Sequence, residues 1–279
     1  MMAGQGRLSR VTAHIVLIIF ALVILLPVWW IVITALEPST AIFDPHLRLW
    51  PQYFEWRNFV QAFTSQPFAL FFANSLGTNI AIVAAQVVTS SLAAYGFAFV
   101  PFRGSKPLFF VTLLGMMIPL QATFIPVYLM LSQVHLIDTY ASLVLPFVGS
   151  AFGVFLMRQA FLSIPKELIA AAHIDGASHL RILWSIVLPN AKPALITLTL
   201  LNFVFHYNSL FWPLVATNSV AVRVLPVALS YFLSNEGGAN LQWNLMMAAD
   251  LFTIVPVFAI FLFGQRFIVR GITSFGVKG

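Results

Sequence analysis

The 26 residues from Val11 to Leu36 contain no Asp, Glu, Lys or Arg. A bilayer's hydrocarbon core is crossed by about 20 mostly apolar residues in a helix, so this run is long enough to span. It is too long for the roughly 7–15-residue apolar core of a cleaved leader. Arg7 and Arg10 precede it and no clear small-residue cleavage site follows, so it reads as a retained first span. Five further stretches pass the same length test. Spans are therefore expected near 12–36, 69–97, 108–132, 141–160, 194–216 and 244–267. Pro119, Pro126, Pro146 and Pro256 fall inside or near them, and proline kinks a membrane helix where neighbouring helices can satisfy the freed carbonyls.

Composition agrees with a lipid-solvated surface. The 279 residues are 60% hydrophobic and 8% charged, whereas about a quarter of a soluble domain is charged. Cysteine is absent, which removes disulfides, thiolate metal sites and thiol nucleophiles. The net charge of +6 raises nucleic acid as a partner, but its distribution is topological. With the N-terminus in the cytoplasm, the inner segments hold Arg7, Arg10, Arg103, Lys106, Arg158, Lys166, Arg181, Lys192, Arg266, Arg270 and Lys278. The outer ones hold only Arg48, Arg57 and Arg223. Positive charge favours the cytoplasmic side, so both termini are expected there and nucleic acid is excluded. No internal repeat or low-complexity tract divides the chain, and 1–279 reads as one transmembrane domain. The fold class is all-α integral membrane.

The connection between the fourth and fifth spans, 163–193, is unusually long for a cytoplasmic loop. Pro165 suits the first turn of a helix, and Leu168, Ile169, Ala171, Ala172 and His173 follow at helical spacing. Gly176 is a natural left-handed stop. Ser178 can cap a second helix carrying Leu180, Ile182, Leu183, Ile186 and Val187, which Pro189 and Pro193 end. Two short helices meeting at a glycine elbow are expected beneath the membrane. The adjacent Ala170, Ala171 and Ala172 are expected to give a face without bulk that a partner can approach. An interfacial helix lying on headgroups is the competing reading.

This order resembles the carbohydrate-type permeases of ABC importers, specifically the shorter membrane subunit of the maltose-importer type. Their signature is Glu-Ala-Ala, three residues, Gly, nine residues, Ile, any residue, Leu-Pro. Ala171, Ala172, Gly176, Ile186, Leu188 and Pro189 match it in spacing, and Asp175 and Ala177 extend the usual Asp-Gly-Ala. Ala170 stands where Glu is expected, with Glu167 one turn earlier. Further matching marks run along the chain: Asn74-Ser75-Leu76, Ala94-Tyr95-Gly96-Phe97-Ala98, Phe102-Arg103-Gly104, Ile118-Pro119-Leu120-Gln121 and Ile125-Pro126. Leu136-Ile137-Asp138-Thr139-Tyr140 follows a His135 where glycine is usual, and Tyr207-Asn208-Ser209 precedes Trp212-Pro213-Leu214. The ending Gln265-Arg266-Phe267, Gly271-Ile272-Thr273 and Val277-Lys278-Gly279 is also similar.

The resemblance implies a bacterial inner-membrane subunit that pairs with a second, homologous permease and two ABC ATPase subunits. An extracytoplasmic sugar-binding protein would deliver the cargo. The ATPase is expected to dock on Glu167, Ala170, Ala171, Ala172, Asp175, Gly176, Ile186, Leu188 and Pro189. The tail 268–279, with Thr273, Lys278 and Gly279, is expected to reach the ATPase, and the loop holding Asn235, Glu236, Gly237 and Gly238 to reach the binding protein. The chain has no Gly-x-x-x-x-Gly-Lys-[Ser/Thr] loop, so ATP and Mg are expected on the partner ATPase and no cofactor on this chain. A sugar or oligosaccharide is the expected cargo, with glycerol-3-phosphate as the alternative.

Polar residues in spans are expensive and therefore informative. Asp250 is the one acid within an expected span. With Gln121, His206, Tyr207 and Asn208 it forms the candidate substrate path, the alternatives being a snorkelled or protonated acid near the outer mouth for Asp250 and hydrogen bonds between helices for the others. No metal spacing and no catalytic Ser/His/Asp set is evident, which argues against an enzyme. A stand-alone secondary transporter would show paired broken helices or a charge relay, and the sequence suggests neither.

Overall fold

The computed structural model describes residues 5–42, 49–232 and 242–276, with side chains over 11–42, 49–232 and 242–265. The helices are α1 (Gln5–Leu36), α2 (Arg57–Thr64), α3 (Phe68–Phe99), α4 (Ser105–Gly115), α5 (Leu120–Gln133), α6 (Tyr140–Val144), α7 (Ala151–Leu162) and α8 (Lys166–Ile174). They continue as α9 (His179–Ile182), α10 (Leu188–Asn190), α11 (Lys192–Tyr207), α12 (Phe211–Ala216), α13 (Leu225–Ser230) and α14 (Trp243–Gly276). No strand occurs among the described residues.

Three helices are long and apolar enough to cross a membrane alone: Val11–Leu36, Phe68–Phe99 and Trp243–Gln265. Three more candidates are bent pairs, Ser105–Gly115 with Leu120–Gln133 at 97°, Tyr140–Phe147 with Ala151–Leu162 at 45°, and His179–Asn190 with Lys192–Tyr207 at 83°. The expected third span is thus not one rod. Pro119 holds extended backbone at ψ 137° ahead of α5, which forces the corner. The expected fifth span, 194–216, stops at Tyr207 and resumes only as the six-residue α12. The sixth does not end at 267, because α14 continues as backbone helix to Gly276. Broken helices are therefore present, and their expected absence does not separate this chain from a stand-alone transporter.

The chain forms two compact units, Met1–Ala69 with Ala228–Ile254, and Leu70–Val227 with Val255–Gly279. In the first, α1 exposes most of its apolar surface from Val11 to Leu26, as a lipid-facing helix does. Its C-terminal end is tied down by α2. The buried Asn58 side chain donates to the carbonyls of Ala35 and Glu37, both at 2.9 Å, and accepts from Asn244 Nδ2 at 3.0 Å. Carbonyls at a helix end lack intrahelical donors, which explains why an amide sits there. Phe59 and Phe63 meet Phe252 edge-on.

The second unit packs around Ala94, Met157, Phe161, Ile182, Leu183 and Leu198. Its break after α6 has an evident source of support. Leu145–Phe147 forms a single 3₁₀ turn containing Pro146. Its carbonyls are claimed from α3, where Gln86 Nε2 donates to Phe147 O at 2.8 Å and Thr89 Oγ1 to Val148 O at 2.8 Å. Asn79 Nδ2 likewise donates to Phe203 O at 3.1 Å. Such side chains make irregular backbone tolerable inside a bundle.

Candidate functional site

The 163–193 connection forms the elbow its sequence implies. Pro165 precedes α8, which carries Glu167 in its first turn. At the far end Gly176 has φ 77°. Its N–H donates to His173 O at 3.1 Å and that of Ala177 to Ala172 O at 3.0 Å. This pair of bonds is a Schellman stop, in which the left-handed residue is glycine because no Cβ is present to clash. Ser178 then caps α9, its Oγ accepting from Arg181 N at 3.4 Å. Between α9 and α10, Leu183–Val187 widens into a π turn, so 179–190 is one continuous helical stretch. Pro189 lies within it, one residue before its end.

The structure sorts the motif by facing. Ile169, Ala172, Ile182, Leu183, Val187 and Leu188 are buried in the core of the unit. Glu167, Ala170, Ala171, Asp175, Gly176 and Pro189 are exposed, and Ile186 is partly buried. The expectation that three alanines share one face is corrected: successive helical residues turn by about 100°, so Ala172 points inward while Ala170 and Ala171 point out. Leu188 likewise packs inside, and its part in any docking surface is to hold the elbow's shape. The outward surface is unusually apolar for a loop. Ile174 is 86% exposed, Leu180 61% and Trp184 57%.

Two contacts hold the second arm. Tyr95 Oη lies 3.0 Å from His179 Nδ1, and the His173 and His179 rings meet edge-on at 5.0 Å. Neither is visible in the sequence: Tyr95 belongs to one of the family marks, and nothing local shows that α3 reaches α9.

Of the candidate path residues, His206 and Tyr207 line one small cavity, whereas Gln121 and Asn208 do not. Tyr207 is 2% exposed and stacks on Phe203 at 5.5 Å. It lines a cavity of about 30 Å³ with Ser75, Thr78, Asn79, His206 and Trp212. That is room for a water or two and not for a sugar. His206 instead contacts Gln86, with 3.0 Å between Nε2 atoms. Asn208 Nδ2 donates to Val204 O at 2.9 Å, finishing its own helix. Gln121 is exposed on α5 and does not line the cavity. Asp250 is half-buried on α14, in the other unit. Thr273 lies on the backbone of α14. Lys278, Gly279 and the loop Asn235, Glu236, Gly237 and Gly238 lie outside the described residues. No group of three or more His, Cys, Asp or Glu suited to a metal occurs among the described residues.

The turn after α5 explains another mark. His135 and Asp138 have φ of 55° and 62°, so glycine would be the easy occupant at 135. Asp138 Oδ1 accepts from the backbone N–H groups of Ser219 at 2.9 Å and Asn218 at 2.8 Å and from Ser219 Oγ at 3.1 Å. These bonds, that from Ser219 N–H first, hold its carboxyl below the usual range. Trp212, 2% exposed, donates from Nε1 to Ser142 O at 2.9 Å.

Residues 86–274 match the family described as binding-protein-dependent transport system inner membrane component. The chain belongs to that family. The permease is 32% identical over 279 residues to the sn-glycerol-3-phosphate transport system permease protein UgpE of Yersinia enterocolitica, covering 98% of this chain and 99% of that one. It is 30% identical over 278 residues to the arabinooligosaccharides transport system permease protein AraQ of Bacillus subtilis, covering 99% and 98%. Among solved structures it is similar to a chain of a bacterial ABC transporter involved in the import of the acidic polysaccharide alginate. There the TM-score is 0.82 at 25% identity, over 96% of this chain and 99% of that one. A bacterial alginate ABC transporter in complex with a pentasaccharide-bound periplasmic protein shares the fold, with a TM-score of 0.61 at 17% identity. The membership answers the question the bent helices left open: the permease is a component of a binding-protein-dependent system and not a stand-alone transporter.

Proposed function

We propose that the permease carries a sugar or oligosaccharide across the bacterial inner membrane by alternating access, driven by a separate ATPase that docks on the 163–193 elbow. The observation that carries this reading is the outward surface of α8, Gly176 and the helical stretch 179–190. It combines Ile174, Leu180 and Trp184 with the small Ala170 and Ala171 and is backed by a buried core. Large apolar side chains left exposed together on a connection between spans suit a protein partner. In this reading six spans place both termini in the cytoplasm, and 1–279 acts as one transmembrane domain. A homologous permease completes the pore, and two ATPase subunits hold ATP and Mg. The binding protein engages the loop around Asn235–Gly238, and the C-terminal tail meets the ATPase. The elbow drives transport only if the ATPase favours one of two arrangements of the spans.

A second cargo, sn-glycerol-3-phosphate, is favoured by the 32% identity to UgpE. Names of arabinooligosaccharide and alginate systems among the relatives favour the saccharide. The test is uptake into proteoliposomes holding this permease, its partner permease and the ATPase, with the binding protein outside. ATP-dependent accumulation of a labelled oligosaccharide, and not of labelled glycerol-3-phosphate, is expected. Uptake without ATP or without the ATPase would overturn the coupling, and preference for the phosphate would overturn the cargo.

A further inference from the structure

The turn joining α3 to α4 lines an open groove of about 1040 Å³ that meets the docking surface above only at Ala170. Arg103 comes from that turn, Lys106 from the first turn of α4, Arg158 from α7, and Lys166 and His173 from α8. No carboxylate lines it, and Ile169 and Ala170 form part of its wall. Arg158 is held in place: its Nε donates to Phe97 O at 3.4 Å, and its guanidinium lies 4.1 Å from the centroid of the Phe109 ring. Arginine carries five N–H donors, so most remain for a ligand. Four cations from the turn, α4, α7 and α8 line this groove with no carboxylate among its walls, a lining that suits an anion.

Position and surroundings say which kind. The groove lies at the C-terminal end of α3, whose 32 residues extend about 48 Å at 1.5 Å each. The hydrocarbon core is about 30 Å thick, so this helix outreaches it, and the basic Arg103 and Lys106 just past its C-terminal end suit headgroup level. Just beyond the cations, α4 exposes Leu108, Phe110 and Val111, and Phe102 is exposed on the turn itself. A free phosphate would use only the charges. A phospholipid would use the charges and lay its chains along this apolar stripe. Basic pockets between membrane helices bind anionic headgroups in this way.

We propose that this groove is a binding site for one anionic phospholipid, its phosphate held by Arg103, Lys106, Arg158 and Lys166. The site shares Ile169, Ala170 and His173 with α8, so a bound lipid braces the elbow from the membrane side. The proposal rests on the groove and not on the direction or cargo of transport.

The experiment is native mass spectrometry of the assembled transporter in detergent, with phosphatidylglycerol and phosphatidylcholine added in equal amounts. Retention of one phosphatidylglycerol per copy of this chain, in preference to phosphatidylcholine, is expected. Arg103→Gln with Lys106→Gln should lower its affinity about 30-fold, and Lys166→Gln alone several-fold. Arg181→Gln, which removes an exposed charge outside the groove, should leave retention unchanged. Equal retention of the two lipids, no effect of either groove variant, or an equal loss with Arg181→Gln would overturn the site. Displacement of the lipid by millimolar inorganic phosphate would also overturn it as a lipid site.

Discussion

Gly176 has two separable reasons to be glycine, and substitution distinguishes them. Its φ of 77° disfavours any residue with a Cβ, at a cost of roughly 1–2 kcal/mol. A Cβ built there meets nothing within 4 Å of the permease itself. Inside the chain, therefore, Gly176→Ala and Gly176→Glu should cost the same backbone strain and lower thermal stability equally. Asn, which tolerates the left-handed region, should cost less than either. Any further difference between Ala and Glu must come from what approaches the elbow. A docked ATPase would bury the glutamate side chain without a designed partner, at about 2 kcal/mol or more, a loss of roughly 30-fold in affinity. The assay is co-purification of the ATPase with the permease pair, titrated with free ATPase, beside a melting curve for each variant. Glu should insert and melt like Ala but retain far less ATPase. If Glu binds the ATPase as tightly as Ala and supports the same ATP-driven uptake, docking at this elbow is refuted.

Other substitutions probe what holds each unit together internally. A Cβ at Gly264 would lie 2.9 Å from Leu200 Cγ, so Gly264→Ala should cost about 1–3 kcal/mol through overpacking. Adding Leu200→Ala should recover part of that loss in a double-mutant cycle of melting midpoints, and simple additivity would contradict the contact. Asn58→Ala strips two carbonyls and Asn244 of their partner and should cost roughly 2 kcal/mol or more in denaturant melts. An effect below about 0.5 kcal/mol would count against that latch. Asp138 has a folded pKa below its unfolded value, so its contribution is full above the unfolded pKa of about 4 and is lost as pH falls through the folded one. The melting difference between native protein and Asp138→Ala should be clear at pH 7 and close in acid. A difference unchanged at pH 3 would show that the carboxylate's charge is not responsible.

The elbow was legible because its punctuation is local. Pro165 fixes its own φ, Gly176 tolerates the left-handed state and Ser178 caps by a local hydrogen bond, and the structure has all three where the sequence implies. The straightness of the spans was not legible. Pro119, Pro126, Pro146 and Pro256 look alike in sequence, yet Pro126 and Pro256 lie inside continuous helices, while Pro119 and Pro146 sit at breaks. At Pro146 the break is supported by the Gln86 and Thr89 side chains, about 60 residues away in sequence. The roles of the polar span residues were not legible for a related reason. Tyr207, Asn208 and Gln121 are polar residues in apolar runs, but polarity alone does not tell a pore-lining group from one that closes a helix end, as Asn208 does.

By itself the sequence determined that this chain lives in a bilayer, that it is helical, and that a glycine-hinged connection interrupts its spans. Those conclusions rest on charge-free length, hydrophobicity and intrinsic backbone preference, which each segment carries alone. Only the tertiary structure decided which half of that connection faces outward. Helical period shows that Ala171 and Ala172 point apart, but α3 and α7 decide which of them is covered. The same packing brings Arg103, Lys106, Arg158 and Lys166 into one groove and sets Tyr95 against His179. Burial and charge convergence depend on residues distant in the chain, and no local pattern encodes them.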